Sequence, residues 1–220
     1  MTKRIVVILL IISFLLIVSY IYYVYQYNTN AKKQEQKSTY MLHAQVKNKI
    51  QDGDIILRNG FGWISDKISA HLNETFNISH CGIIRKKETS LQVLHSESSS
   101  ILSNEGVQLQ NLDDFTKTSK KNSIIILRLK KITSSQIKKM DQLIDLYVKQ
   151  DIKFDYKFDS KDSIKMFCTE LVWNIYKNAT HTKIFIGKNN KPNLLQFNSL
   201  YQNPNLKIII NQQLTNKKAF

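Results

Sequence analysis

The chain has 220 residues, 32 of them basic and 17 acidic, which gives a formal net charge of +15. That length suits one folded domain beside a targeting segment. The lysines are scattered and accompany neither an arginine cluster nor an RNA-binding aromatic motif, which argues against nucleic acid and leaves a membrane surface or an anionic polymer as partner. Its cysteines, Cys81 and Cys168, lack the paired spacing of a zinc site, so we expect neither a metal nor a cofactor.

The N-terminal segment is predicted to span a membrane. Ile5 to Tyr25 carries no charged side chain, and a helix of that length, rising ~1.5 Å per residue, matches a bilayer core of ~30 Å. The run is longer than the apolar core of a signal peptide and ends in tyrosines typical of the membrane interface. We therefore predict a tail at 1–4 and an uncleaved single-pass anchor at 5–25, with a cleaved signal peptide as the alternative. Because Lys3 and Arg4 precede the span, the remaining domain is expected outside the cytoplasm.

The rest of the chain is predicted to be a linker and one domain. Residues 26–45 are polar and basic, which favours a linker, and the folded domain should cover 46–220. Apolar periodicity predicts the elements of that domain. They are a strand at 54–57, a short helix at 64–72, a hairpin of 78–84 and 91–95, strands at 107–109 and 124–129, a helix at 134–150, a second helix at about 163–177 and an edge strand at 208–210.

Cys168 is a candidate nucleophile because it is predicted to lie near the start of the second helix. A thiol attacks as the thiolate, which the partial positive charge of a helix N-terminus stabilises. The apolar residues that follow, Leu171, Val172 and Ile175, place the cysteine on the face that packs inward. The alternative is a small core residue, since free cysteine is among the most buried side chains.

His80 is the candidate base, because it lies on a predicted strand and a catalytic cysteine needs a rigidly held base. Alternation puts Cys81 on the opposite face from His80, so Cys81 is predicted to belong to the core. The orienting group for His80 is predicted to be His95, which faces it across the hairpin if the turn is centred between Lys87 and Glu88.

Four segments resemble the permuted branch of the NlpC-type papain-like superfamily, which includes YiiX-like bacterial proteins and, more distantly, lecithin:retinol acyltransferases. They are GDIIL, SHCGII, QVLHSES and FDYKFDSKDSIKMFCTELVW. In unpermuted members the cysteine helix precedes the histidine strand, whereas here His80 precedes Cys168. The resemblance covers roughly residues 53–176 and implies an α+β fold in which a small antiparallel sheet packs on the cysteine helix. It makes Cys168 the nucleophile, His80 the base and a polar residue on the next strand the orienting group, either His95 or its rival Glu97.

The residues and the resemblance together predict a membrane-anchored cysteine amidase or peptidase. Cys168 would attack an amide or ester carbonyl, with His80 carrying the proton through a thioester intermediate. The first expected substrate is a cell-wall peptide or a related amide. The alternatives are a lipid-directed acyl hydrolase or acyltransferase, favoured by the anchor, and a catalytically silent module that binds peptide or lipid. Intact Cys168 and His80 count against the silent module.

Overall fold

The structure is a computed structural model that describes residues 3–98, 105–160, 164–187 and 192–217. Its helices are α1 (Lys3–Lys37), α2 (Ala44–Lys47), α3 (Trp63–Leu72), α4 (Leu112–Lys117), α5 (Ser134–Lys149), α6 (Cys168–Thr180), α7 (Asn198–Tyr201) and α8 (Gln212–Lys217). Its strands are β1 (Ile55–Arg58), β2 (His80–Lys87), β3 (Ser90–Glu97), β4 (Gly106–Asn111), β5 (Ile125–Leu129), β6 (Lys153–Phe154), β7 (Lys165–Met166) and β8 (Leu206–Asn211). Each strand and helix predicted from the sequence has a counterpart among them.

Six of the strands form one antiparallel sheet in the order β4-β3-β2-β1-β5-β8. Strand β1 is apolar at three successive residues because helices or loops cover both faces of the sheet. Ile55 and Leu57 belong to the core beneath α5 and α6, whereas Ile56 belongs to a second core on the other face, beside α4. The predicted α+β fold, an antiparallel sheet packed on helices, is confirmed.

The start of β1 is fixed to the cysteine helix by hydrogen bonds. The buried Asp54 accepts two bonds of 2.7 Å from the Arg128 guanidinium of β5. The Tyr176 hydroxyl of α6 donates to the carbonyl of Gly53. Gly53 has a φ of +79°, and a Cβ there would lie 2.8 Å from Ile137 of α5. The Gly-Asp pair of the sequence motif therefore ties the sheet to both helices of the core.

The β2–β3 hairpin is present, but its predicted register is wrong. Lys87 pairs with Ser90, so the turn is formed by Glu88 and Thr89, and Glu88 has a φ of +51°. Two-residue hairpin turns require positive φ. Neither residue is a glycine or an asparagine, the usual signals of such a turn, so the polar sequence did not reveal its centre.

The corrected register moves each β3 partner by two residues along its strand. Continued to the end of the ladder, it puts Glu97 rather than His95 opposite His80. A shift of two residues leaves side chains on the same face, because the period of a strand is two. His95 and Glu97 therefore both stay on the face of His80.

Helix α1 is one continuous helix that runs from the predicted span to Lys37, through part of the segment assigned to a linker. By length and composition its apolar part can cross a membrane, and that part is not covered by the rest of the described chain. Among the described residues, no other helix is long and apolar enough to cross a membrane.

The end of α1 that follows the apolar part packs on the start of α3. Asn28 Oδ1 accepts a hydrogen bond of 3.0 Å from the Trp63 amide, and the Tyr27 hydroxyl donates to Asp66. Gly62 allows this approach, since its φ is +96° and a Cβ would lie only 3.3 Å from Asn28 Oδ1. Helix α1 is therefore attached to the domain by specific contacts.

Candidate active site

Cys168 is the first residue of α6. The predicted start, at about residue 163, lies outside the described residues; residues 165–166 form strand β7, and Phe167 precedes the helix with an extended ψ of 169°. The apolar side of α6 is buried against the sheet. Cys168, which is partly exposed, therefore lies where the backbone N–H groups of the first turn lack intrahelical partners and carry partial positive charge.

His80, the first residue of β2, connects the thiol to a buried polar cluster. Its ring hydrogen-bonds to the Cys168 side chain. Its Nε2 lies 3.0 Å from Nδ1 of His95 and 3.3 Å from Oε2 of Glu97. The structure thus brings Cys168, His80 and His95 together and adds Glu97 to them.

Cys81 also reaches Cys168, a contact that the sequence analysis missed. It is fully buried in the core, as predicted, and its thiol hydrogen-bonds to Cys168. That bond, followed by the charge and hydrogen bond of His80, holds the pKa of Cys168 well below its usual range although burial raises it. Burial and the adjacent Cys168 sulfur raise the pKa of Cys81 well above its usual range. The opposite directions of these shifts make Cys168 the more acidic thiol of the pair.

Glu97 is a buried carboxylate whose charge is balanced by Arg58. The two side chains are almost fully buried, and Arg58 Nη2 donates to Glu97 Oε2 at 2.6 Å. The guanidinium lies 4.3 Å from the ring centre of Phe115 and donates to the Phe115 carbonyl. Burial raises the pKa of Glu97, but the charges of His80 and Arg58 outweigh it and hold that pKa well below its usual range. The ionised Glu97 therefore places a negative charge 3.3 Å from the His80 ring.

The sequence analysis did not identify Arg58 as part of the site. An arginine that ends an apolar strand is ordinarily read as the point where the chain reaches solvent. In the structure, Phe115 packs over this arginine, and Phe115 comes from a helix that the sequence analysis did not predict.

His95 enters the site as a neutral ring. It is fully buried and packs edge-on to Phe115, with ring centres 5.2 Å apart. Burial lowers the pKa of His95 to about 4, although a hydrogen bond to Glu97 opposes the shift. Its Nε2 has no hydrogen-bond partner within the described part of the chain. His95 therefore contacts His80 without adding charge at neutral pH.

The same side chains have the donor types of a metal site, but their environment does not suit one. One ligand atom from each of His80, His95 and Glu97 lies within 4.8 Å of the others. Arg58 donates to the carboxylate oxygen that a cation would need, at 2.6 Å, and its own positive charge would lie beside the ion. Two cations sharing one carboxylate in a buried site repel each other strongly. The cluster fits a charge-balanced hydrogen-bond network better than a divalent metal.

A cavity of about 500 Å³ opens in front of Cys168, within the usual range of small-molecule sites. Its walls are mostly apolar and come from α3, from the loop before α6 and from the segment after α6. The apolar walls include Ile68, Leu72, Phe158, Phe167, Leu194 and Phe197. The thiol thus lies between two different environments, with the buried charges behind His80 on one side and this apolar cavity on the other.

Comparison with known proteins identifies relatives of the chain. Residues 49–215 match the family described as permuted papain-like amidases of the YaeF/YiiX type, family C92. Among solved structures, a crystal structure described as the metalloprotein YiiX from Escherichia coli O157:H7 superimposes with a TM-score of 0.60 and 18% sequence identity, covering 74% of this chain and 98% of that chain. This similarity shows a shared fold. A search of curated proteins finds no match.

Proposed function

The chain belongs to the C92 family of permuted papain-like amidases, and from that premise we propose that it is a membrane-anchored thiol amidase in which Cys168 is the nucleophile and His80 the base. The observation that carries this proposal is the environment of Cys168. Its thiol lies at a helix N-terminus, hydrogen-bonds to His80 and has a lowered pKa, which are the conditions that activate a cysteine.

The reaction follows from these groups. The Cys168 thiolate attacks the amide carbonyl carbon and forms a C–S bond, and the backbone amide of Cys168 stabilises the developing oxyanion. The His80 imidazolium gives its proton to the leaving nitrogen as the C–N bond breaks. Water then attacks the thioester with His80 as general base, the C–S bond breaks, and the acid product leaves the thiolate restored.

Two groups are proposed to hold His80 in this cycle. His95 contacts its Nε2 at the shorter distance, 3.0 Å, as a neutral ring. Glu97 is 3.3 Å away and carries the negative charge that stabilises an imidazolium. His95 therefore fixes the orientation of the ring, and Glu97 compensates its charge.

The substrate is proposed to be an amide outside the cytoplasm and near the bilayer. The sequence analysis put cell-wall peptides first, but the mostly apolar cavity beside Cys168 favours the alternative, an acyl amide or ester of lipid-like character. The lowered pKa of the Cys168 thiol favours an enzyme over a silent binding module, because ligand binding alone does not require a thiolate. Incubating the protein with wall fragments and with lipid extracts, followed by mass spectrometry, distinguishes these substrates by their cleavage products.

The solved relative from Escherichia coli is described as a metalloprotein. Among the described residues, the only cluster with the ligands of a metal site is that of His80, His95 and Glu97. Arg58 already donates a hydrogen bond to its carboxylate oxygen, so we propose a mechanism that needs no metal. Prolonged treatment with EDTA should leave turnover unchanged. Loss of turnover that added zinc restores would contradict this proposal.

The anchor is proposed to remain attached in the mature protein. Cleavage after Tyr25 would remove Tyr20, whose ring packs edge-on to Trp63 of the domain at 6.3 Å. The full-length protein should therefore stay in the membrane fraction after carbonate washing, with its N-terminus intact. A mature N-terminus beyond Tyr25 would show a cleaved signal peptide instead.

Labelling with a thiol-directed electrophile at neutral pH tests the nucleophile. The full-length protein should be labelled at Cys168, as located by peptide mass spectrometry, and much more slowly in His80→Ala. Cys81→Ser should be labelled at a rate close to that of the wild type, since serine keeps the hydrogen-bond donor. Label found on Cys81, or a labelling rate that His80→Ala does not change, would overturn the assignment.

A further inference from the structure

The cavity beside Cys168 has an aromatic wall that the backbone holds at a conformational cost. Phe158 lines the cavity and is 46% exposed. Its φ is +54°, a left-handed conformation that is unfavourable for a bulky side chain. Strain of this kind persists only where the surroundings impose it, so the position of this ring is fixed by its neighbours.

The buried Asp155 supplies that constraint. One carboxylate oxygen accepts the amide of Lys157 at 2.8 Å, and the other accepts the amide of Asp159 at 2.7 Å. These bonds hold the peptide units on both sides of Phe158. The ring also packs on Phe167, with centres 5.4 Å apart, next to the nucleophile. The aspartate-aromatic motif of the sequence therefore builds a wall of the cavity.

A second wall of the cavity, formed by α3, connects it to the anchor. Ile68 and Leu72 of α3 line the cavity, while Trp63, at the start of the same helix, packs edge-on to Tyr20 of the anchor at 6.3 Å. Helix α3 has ten residues and is therefore about 15 Å long. The cavity thus lies within about one short helix length of the tyrosines that mark the membrane interface.

From these contacts we propose that the cavity of Phe158, Ile68 and Leu194 binds the acyl chain of a bilayer amphiphile whose amide or ester carbonyl is presented to Cys168. This inference rests on the proposed function and names its substrate class. Burial of methylene groups against the apolar cavity lining is favourable. The polar backbone of a cell-wall peptide would instead lose its hydration there, which is costly. A cavity this close to the membrane interface can also accept an amphiphile directly from the bilayer.

A homologous series of N-acyl anilides, from acetyl to dodecanoyl, tests the proposal on the full-length protein in nanodiscs, beside peptide anilides. We expect kcat/KM to rise roughly fourfold per added methylene until the cavity is full, and peptide anilides to react slowly. Partition of long chains into the bilayer would raise rates as well, so the decisive comparison is between two variants. Leu195→Trp fills the cavity from its rim, and Ile186→Trp alters a similarly exposed residue that does not line it.

Leu195→Trp should end the rise at a shorter chain than in the wild type, while Ile186→Trp should follow the wild type. Phe158→Gly, which relieves the strain and removes the wall, should keep the fold and flatten the series. Identical series in both tryptophan variants, or a wild type that cleaves acetyl and dodecanoyl anilides equally, would refute the acyl cavity and leave the amidase intact. Chain-length-dependent binding of a fluorescent acyl amide to Cys168→Ala, without hydrolysis by the wild type, would instead refute the proposed function and support the cavity.

Discussion

Cys81 and Cys168 are neighbouring thiols whose surroundings shift their pKa values in opposite directions. Cys81 lies inside a central strand, in the apolar core beneath α6, where burial favours the protonated form. Cys168 begins a helix, and it faces both the Cys81 thiol and His80. Both thiols lie in one region of the molecule, so the difference teaches that adjacent groups, and not exposure alone, set the pKa of each thiol.

The largest expected effect separates the two sulfurs directly. Cys168→Ala should lower kcat/KM by at least about 10⁴-fold, since the residual rate would come from binding and the oxyanion site alone. Cys81→Ser should stay within about tenfold of the wild type, because its hydroxyl can still donate to the thiolate. Hydrolysis of an acyl anilide, with circular dichroism to check the fold, measures both. A serine variant as inactive as Cys168→Ala would remove the contrast between the thiols.

The next effect concerns the charges behind His80. Glu97→Gln should lower kcat/KM by roughly 10²-fold to 10⁴-fold, because the His80 imidazolium loses its negative partner. It should also destabilise the fold by roughly 3–5 kcal/mol, since it leaves the buried Arg58 unpaired. Thermal unfolding in detergent measures the second consequence separately from the first.

A double variant distinguishes catalysis from structure at this ion pair. Arg58→Met combined with Glu97→Gln removes both charges and should recover most of the lost Tm without recovering turnover. If turnover returns together with Tm, Glu97 contributes only to stability, and His95 alone orients His80. His95→Ala should then abolish the hydrolysis that the double variant retains.

A smaller effect should appear in the pH profile. The hydrogen bond from Cys81 is the largest cause that lowers the Cys168 pKa, so Cys81→Ala should raise that pKa and move the acid limb of kcat/KM to higher pH. Cys81→Ser is the matched control and should leave the limb near its original position. Rates of electrophile labelling against pH report the same titration without turnover. Superimposable profiles for alanine and wild type would mean that His80 alone activates the thiol.

The last expected effect is confined to acidic pH and concerns stability rather than turnover. Burial lowers the pKa of His95 from 6.5 to about 4, so between those values the unfolded chain binds a proton that the folded chain does not. Stability from this group is therefore present above pH ~6.5 and is lost, on the order of 3 kcal/mol, as pH falls towards 4. His95→Gln should flatten Tm against pH in that window. An unchanged slope would show that folding does not shift the pKa of His95.

The sequence predicted more of the fold than of the site. Period-two and helical patterns located the strands and the long helices, since those patterns arise from burial on one face or on both. They also brought Cys168, His80 and His95 into one hypothesis. Helix α4 was missed because at six residues it is too short to show a period.

The unpredicted parts of the site depend on contacts between distant segments. The Cys81 thiol was correctly assigned to the core, but its approach to Cys168 depends on how α6 packs over β2. The inward turn of Arg58 depends on Phe115, and the hairpin register depends on Glu88, whose left-handed conformation has no marker in a run of polar residues. Each of these is set by tertiary packing, which periodicity does not describe.

Helix α1 passes from its apolar part into its contacts with α3 without a break. With α1 in a bilayer, the domain keeps one tilt and one distance relative to the membrane surface. The mouth of its cavity therefore stays within a thin layer parallel to that surface. Encounters with an amphiphile then occur by lateral diffusion, so the concentration that matters is a number of molecules per area. Diluting a suspension of such membranes would leave the rate per protein unchanged, whereas diluting the amphiphile among other lipids would lower it in proportion.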